Sequence, residues 1–105
     1  MPLFRTKKEP FEWIISGKKT IEIRKGNPKR GEIAVYLSGR KVLKKRISRT
    51  ETGKLNEVVH LSNFKQIIPS AQTIEEAFIY LRNLYFSCED VFTAYYFDAS
   101  KIDPS

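Results

Sequence analysis

The chain has 105 residues, enough for one domain with its own hydrophobic core and too few for several. It carries 19 Lys and Arg against 12 Asp and Glu, a formal charge of +7, which favours a polyanionic partner. A single Cys and a single His exclude an internal disulfide and argue against a zinc site of the usual type, and no apolar stretch is long enough to span a bilayer. We therefore expect one cytoplasmic domain over residues 1–105, with no metal, cofactor or membrane contact, although composition leaves a carboxylate site for Mg²⁺ open.

The first predicted elements are a helix and a strand. Pro10 suits a first helical turn, the apolar residues that follow recur at helical spacing, and Gly17 suits a C-cap, so a helix is predicted over about 10–16. Residues 20–24 alternate between polar and apolar, which predicts a half-buried strand. One face of that strand would carry Thr20, Glu22 and Arg24.

Two further strands are predicted around a hairpin. Residues 31–38 alternate in the same way, and Ser38-Gly39-Arg40 indicates a tight turn. A third strand should follow from Lys41 to about Arg49. Its alternation fails at Val42-Leu43, which indicates a bulge or a twisted edge at that point.

The second half predicts one clear helix and a last strand. Residues 56–72 are ambiguous between a short strand and a single helical turn. Thr73 and Glu76 have capping-box spacing, and an apolar stripe continues from them, so a helix is predicted over 73–86. Residues 91–97 are aromatic and β-branched, which predicts a strand that returns late in the chain.

These elements indicate an α+β fold. A strand that returns late can pair with an early strand and close a barrel, because closure leaves fewer exposed sheet edges. Phe97 at the end of that strand is expected in the core, and Tyr96, on the opposite face, is expected in a cleft.

The segment Gly17–Arg24 has the densest group of chemically useful side chains. Gly17 permits a tight exit from the helix. Lys19 follows in the loop, and Glu22 and Arg24 lie roughly 7 Å apart along the strand, so an ammonium, a carboxylate and a guanidinium converge. Such a group can bind a phosphate and read a base edge. The alternative is a solvated strand face with a routine ion pair.

This segment resembles the signature G-x-K-x-x-E-x-R of the ASCH family at Gly17, Lys19, Glu22 and Arg24. The resemblance continues through residues 29–32 and through the late helix and strand. It implies a PUA-like mixed β-barrel of about five to six strands with two to three helices. It also implies a cleft beside the signature that binds RNA, a nucleotide or a nucleoside.

Some ASCH proteins hydrolyse N4-acetylcytidine, which makes a small hydrolase the alternative function. The resemblance implies that Lys19 is the motif lysine of such an enzyme, but Glu22 stands where that branch has a threonine. Thr20 lies two positions too early. Glu75 or Glu76 is available as the distant carboxylate, although Glu76 already serves as a helix cap. If the protein is an enzyme, we expect Lys19 and Glu22 to be catalytic.

A ribonuclease is a second form of that alternative. Lys19, Tyr36 and Ser38 are candidates for cleavage of a phosphodiester, because a lysine stabilises the charge that develops on phosphorus. The complete set of predicted ligand-binding residues is Gly17, Lys19, Thr20, Glu22, Arg24, Tyr36, Ser38 and Tyr96.

Two further features allow two interpretations each. The basic residues between Lys41 and Arg49 either contact an RNA backbone or protect an edge strand from aggregation, and edge protection is slightly favoured. Trp13 is either a stacking platform beside Lys19 or a core residue, and the core is favoured. A basic surface that holds a protein partner is a third and weaker functional hypothesis.

Overall fold

The computed structural model describes residues 2–85 and 90–98, which contain five strands and four helices. In chain order the elements are β1 (Leu3–Arg5), α1 (Lys8–Ile15), β2 (Ile21–Lys25), β3 (Ile33–Ser38), β4 (Lys41–Gly53), α2 (Leu55–Val58), α3 (Phe64–Ile67), α4 (Ile74–Tyr85) and β5 (Phe92–Phe97). The predicted end of the last helix at Phe86 lies outside the described residues, as does Cys88.

The strands form one curled mixed sheet in the order β1-β3-β4-β5-β2. β1 runs parallel to β3, and the other pairs are antiparallel. The late strand β5 pairs with the early strand β2, as the sequence predicts. The edge strands β1 and β2 are not neighbours in the sheet, so the sheet is a half-barrel. The α+β barrel-like class is confirmed, with four helices in the described residues instead of two to three, because α2 and α3 are single turns.

Three details of the strand prediction were wrong or incomplete. β4 continues to Gly53, and its register shift lies between Ile47 and Arg49 rather than at Val42-Leu43. β5 pairs with β4 only from Ile47 onward, so β3 is the one described strand beside Lys41 and Lys44, which agrees with the edge interpretation. β1 was not predicted, because three residues are too few for a periodic pattern, and the ambiguous segment begins with a helical turn rather than a strand.

Each face of the sheet has its own core. Phe4 on β1 and Tyr95 on β5 are separated by two strands in the sheet, yet their ring centroids are 5.0 Å apart, so they lie on the concave face. Phe97 is buried on this face, as predicted. The concave core consists of Phe4, Phe11, Ile14, Ala34, Tyr36, Tyr95 and Phe97.

The convex face is covered by helices only over part of its width. Ile21 and Ile23 of β2 and Ala94 of β5 pack there against residues from α2, α3 and α4. At the start of α4, the Thr73 hydroxyl accepts a hydrogen bond from the Glu76 N–H at 3.2 Å, so the predicted N-cap is confirmed. The Glu76 carboxylate accepts one from the Gln72 N–H at 3.4 Å. In the described part of the chain, no helix is long and apolar enough to cross a bilayer.

Leu55→Ala should destabilise the fold by about 2–5 kcal/mol, because the Leu55 side chain is fully buried in the convex core and its removal leaves a cavity. The matched control is Leu61→Ala, since the Leu61 side chain is 77% exposed, and its free energy of unfolding should change by about 0.5 kcal/mol or less. Urea unfolding followed by circular dichroism measures both. Equal losses in the two variants would contradict the assignment of the convex core.

Candidate functional site

A cavity of about 240 Å³ opens beside the edge strand β2, where α1 and α4 approach it. Its polar lining contains the Lys19, Glu22 and Arg24 side chains, and Arg5 and Lys7 are the exposed cations. The rest of the lining consists of Thr6, Pro10, Trp13, Ile23, Ile68, Tyr80, Leu81, Leu84 and Tyr85. Charged groups from one strand edge therefore face apolar and aromatic groups from two helices.

Glu22 is the centre of the polar lining. It lies opposite Tyr95 in the β2–β5 register, which places its side chain on the concave face, and it is buried. Oε1 accepts a hydrogen bond from the Tyr36 hydroxyl at 2.9 Å, and Oε2 accepts one from Arg24 Nε at 2.8 Å. The Lys19 Nζ lies 4.0 Å from Oε1. Each carboxylate oxygen thus has a donor, as a buried charge requires.

Arg24 joins the two free edges of the sheet. Its Nη2 donates to the backbone carbonyl of Arg5 on β1 at 3.0 Å, and the guanidinium carbon lies 4.7 Å from the centroid of the Phe4 ring. Burial alone would lower the pKa of Arg24, but the charge and the hydrogen bond of Glu22 outweigh it, so the pKa is raised. Arg24 therefore stays charged while it holds β1 and β2 together.

Lys19 is buried under the loop that follows α1. Gly17, at φ +81°, turns the chain back, and the Lys19 N–H then donates to the Trp13 carbonyl at 3.0 Å. The Nζ donates to the backbone carbonyl of Ile67. Burial lowers the pKa of Lys19, the Glu22 charge partly restores it, and the Arg24 charge lowers it further. The cavity therefore contains an amine that loses its proton more easily than a surface lysine does.

Three aromatic side chains complete the lining. The Trp13 and Tyr80 rings are 6.2 Å apart, with 48° between their planes. The Tyr85 hydroxyl donates to the Ile23 carbonyl at 2.8 Å. Burial raises the pKa of Tyr85 to about 12, with Arg24 opposing and Glu22 adding to the effect, so Tyr85 remains a neutral phenol. These rings offer apolar surface to a flat ligand.

The structure brings three of the predicted site residues into the cavity lining, namely Lys19, Glu22 and Arg24. Gly17 shapes the loop before them. Tyr36 does not line the cavity, since it is fully buried on the concave face behind Glu22.

The other three predicted site residues lie elsewhere. Thr20 is not in the lining, and its backbone bonds to Gln66 and Phe97. Ser38 ends β3. The Tyr96 hydroxyl donates to Glu51 at 2.8 Å and accepts from the Asn63 side chain at 2.9 Å, while the Arg49 guanidinium stacks 3.8 Å from its ring centroid. Tyr96 therefore belongs to a separate polar network on the convex face.

The contribution of α4 to the site was not predicted from the sequence. Tyr80 lies between residues of the apolar stripe, and Leu81, Leu84 and Tyr85 belong to the stripe itself. Helical periodicity shows that such residues share a face but does not distinguish a packed face from one that lines a cavity. Trp13 packs against the convex core, as the favoured interpretation predicts, and it also lines the cavity, while its role as a stacking platform stays a prediction.

Glu22→Gln should destabilise the protein by roughly 3–5 kcal/mol, because it leaves the partly buried charge of Arg24 without its partner. Glu32→Gln is the control, since Glu32 is exposed, and it should have little effect. Chemical unfolding at neutral pH measures the difference. A loss in Glu22→Gln no larger than that of the control would show that the carboxylate is not an organising group.

The lowered pKa of Lys19 gives a pH dependence of defined sign. Between its folded pKa and its unfolded value near 10.5, the unfolded chain binds more protons than the folded one, so this residue makes stability rise with pH. Wild type should therefore gain stability relative to Lys19→Met between pH 7 and pH 10. Unfolding free energies of both proteins at several pH values test this, and a constant difference between them would contradict it.

Comparison with solved structures identifies proteins of the same fold. Hypothetical protein PH0355 superimposes with a TM-score of 0.73 at 17% identity over 91% of this chain and 95% of its own. ZmASCH from Zymomonas mobilis superimposes with a TM-score of 0.66 at 19% identity over 94% of this chain and 67% of its own. EF3133 from Enterococcus faecalis V583 has a TM-score of 0.67 at 16% identity over 96% of this chain and 77% of its own.

The sequence itself is more divergent than the fold. No protein-family model matches the chain, and a search of curated proteins finds no significant similarity. The structural likeness nevertheless spans nearly the whole chain and includes ASCH proteins. The chain therefore has the fold of a small ASCH-like domain.

Proposed function

We propose that the cavity binds one nucleotide or nucleoside unit, either free or as part of a nucleic acid strand. The observation that carries this proposal is the composition of the lining, which sets Trp13, Tyr80 and Tyr85 against a cluster of two cations and a carboxylate. Aromatic side chains stack on nucleobases, and fixed charged groups can recognise base edges and phosphates. The formal charge of +7 supports an anionic ligand.

The size of the cavity limits the ligand to a single unit. Its volume of about 240 Å³ is slightly below the range of roughly 300–1,000 Å³ that is typical of sites for drug-sized ligands. One base with part of its sugar fits this volume, whereas a dinucleotide would have to extend outside. Recognition of the base would then depend on the buried part of the lining and recognition of the phosphate on the exposed part.

The exposed cations are the better candidates for the phosphate. Arg5 and Lys7 line the cavity and are exposed, whereas Lys19 is buried and already bonded to the Ile67 carbonyl. Arg24 uses Nε and Nη2 within the protein, and no described residue accepts a hydrogen bond from its Nη1. We therefore assign phosphate contact to Arg5 and Lys7, and contact with the base edge to Lys19 and Arg24.

Hydrolysis of a modified nucleoside is the second candidate, and the lowered pKa of Lys19 favours it, because a neutral amine can act as a base or nucleophile. The described lining supplies little else for this chemistry. Thr20 lies outside it, Glu76 caps α4, and Glu22 is already bonded to Tyr36 and Arg24. For cleavage of a phosphodiester, Ser38 also lies outside the lining. Binding without chemistry therefore remains the preferred function.

Trp13 is the only tryptophan, so its fluorescence reports on the cavity directly. We expect nucleoside monophosphates to change its emission saturably. Tyr80→Ala should weaken binding by about 5- to 150-fold, which corresponds to the ~1–3 kcal/mol of stacking per base. Ile79→Ala is the control, because Ile79 precedes Tyr80 on α4, is 55% exposed and does not line the cavity.

Two results would contradict the proposal. The first is the lack of a saturable fluorescence change with any nucleotide or nucleoside, and the second is equal affinity in the Tyr80 and Ile79 variants. Incubation with N4-acetylcytidine, followed by chromatography, tests the second candidate in parallel. Turnover by wild type that is lost in Lys19→Ala would favour the hydrolase.

A further inference from the structure

The start of β4 concentrates positive charge. Residues 39–50 include no Asp or Glu and six basic residues, which are Arg40, Lys41, Lys44, Lys45, Arg46 and Arg49. Edge protection accounts for part of this charge, because β5 pairs with β4 only from Ile47 onward and the described strands give the start of β4 one neighbour, β3. It does not account for Arg40, which precedes the strand, or for Arg49, where β5 pairs with β4.

The strand register gathers three of these cations on one face. Lys44 and Arg46 pair with Val35 and Ile33 of β3, whose neighbours in the chain, Ala34 and Tyr36, point into the concave core. Lys44 and Arg46 therefore point to the convex side.

Arg49 joins them because of the register shift after Ile47. It pairs with Tyr96, which packs against the core of the convex face. Lys41 pairs with Ser38, on the same face as Tyr36, and so points to the concave side. We name the three convex cations, together with Arg40 of the turn before β4, the basic strip: Arg40, Lys44, Arg46 and Arg49.

The convex face around the basic strip is open in the described part of the chain. Leu3 of β1 and Val42 of β4 are more than half exposed there. α1 packs on the concave side, and α2 to α4 cover the β2–β5 side. Asp98 lies 4.0 Å from Arg46 and Glu51 lies 3.4 Å from Arg49, but no described carboxylate pairs with Arg40 or Lys44.

The strip is connected to the cavity through β1. Arg5 lines the cavity, pairs with Leu37 of β3 and is followed by Thr6, whose N–H donates to the Leu37 carbonyl at 2.9 Å. Leu37 in turn pairs with Val42 of β4. Two strand spacings of about 4.8 Å therefore separate the Arg5 backbone from the β4 backbone. Positive charge continues from the cavity opening to the convex face.

We infer that the basic strip binds the sugar–phosphate backbone of a single-stranded nucleic acid, one base of which occupies the cavity. The cavity half of this inference rests on the proposed function. A single strand fits because a base that enters a cavity must leave its stack and its pairing partner. A nucleic acid fits better than a protein because cations repeated along a strand, in a stretch without carboxylates, match repeated phosphates.

The test compares two double variants with the same loss of charge. Arg40→Gln/Lys44→Gln alters the strip, and Lys65→Gln/Arg82→Gln removes two exposed cations from α3 and α4. Each is titrated into labelled single-stranded RNA and DNA of about ten nucleotides, a length within the known site sizes of single-strand binders. Anisotropy is recorded at several salt concentrations. Mononucleotide binding is followed separately through Trp13 fluorescence.

The strip variant should bind the oligonucleotides at least tenfold more weakly at low salt than the control variant does. Its plot of log affinity against log salt should be less steep by about 1.4, which is 0.7 for each of two lost phosphate contacts. Mononucleotide binding should be unchanged. A preference for RNA over DNA would indicate contacts to the 2′-hydroxyl, and equal binding would indicate recognition of phosphate alone. Both outcomes support binding of the sugar–phosphate backbone by the strip.

Two results would overturn the inference. One is equal weakening in the strip and control variants, which would leave this face to a protein partner. The other is wild-type oligonucleotide binding no tighter than mononucleotide binding, which would leave the cavity proposal intact. If oligonucleotides bind through the strip while mononucleotides do not bind, the strip is supported and the proposed function of the cavity fails.

Discussion

The arrangement of the whole site depends on one buried carboxylate. Glu22 lies on an edge strand but points into the concave side of the sheet, where only 7% of its surface is exposed. A buried carboxylate of this kind is tolerated only when both oxygens have donors. Tyr36 supplies one from β3 and Arg24 the other from β2. The need to satisfy Glu22 therefore fixes the position of the side chains around it.

The same carboxylate affects how the half-barrel is held closed. The backbones of β1 and β2 do not pair, so side chains span the gap between them. Arg24 is held by Glu22 at one end and bonds to the Arg5 carbonyl at the other. Because side chains leave more space than a backbone ladder does, room for a ligand remains beside β2. The open edge and the cavity thus have a common origin.

The sequence was sufficient to predict local geometry. Alternation with a period of two places Glu22 and Arg24 on one face, and the glycine after α1 brings Lys19 near them. These relations involve residues only a few positions apart. The capping of α4 and the pairing of the last strand with an early one were predicted for similar reasons, since each depends on a pattern within one element or on a general rule of sheet closure.

The sequence was insufficient wherever the answer depends on neighbours that are distant in the chain. The alternation of β4 shows which residues share a face but not that β3 borders its first half and β5 its second half. Tyr36 has no local pattern that indicates its contact with Glu22, fourteen positions away. The stripe of α4 predicts a buried face, yet part of that face lines a cavity. Burial of Lys19 likewise depends on α3, whose Ile67 carbonyl accepts its hydrogen bond.

Packing also divides the charged residues near the cavity into two groups with different uses. Internal hydrogen bonds hold Lys19 and Arg24 in fixed orientations before a ligand binds. A ligand can therefore use only the hydrogen-bond donors of these two side chains that the protein does not already use. Such groups favour selectivity, because a ligand that fails to match them loses hydrogen bonds in a buried place. Arg5, Lys7 and the basic strip are exposed and can follow a ligand of variable shape. Their attraction acts over a longer range and weakens with salt. A domain built this way would select one base in the cavity while its affinity for the strand comes largely from the sheet surface.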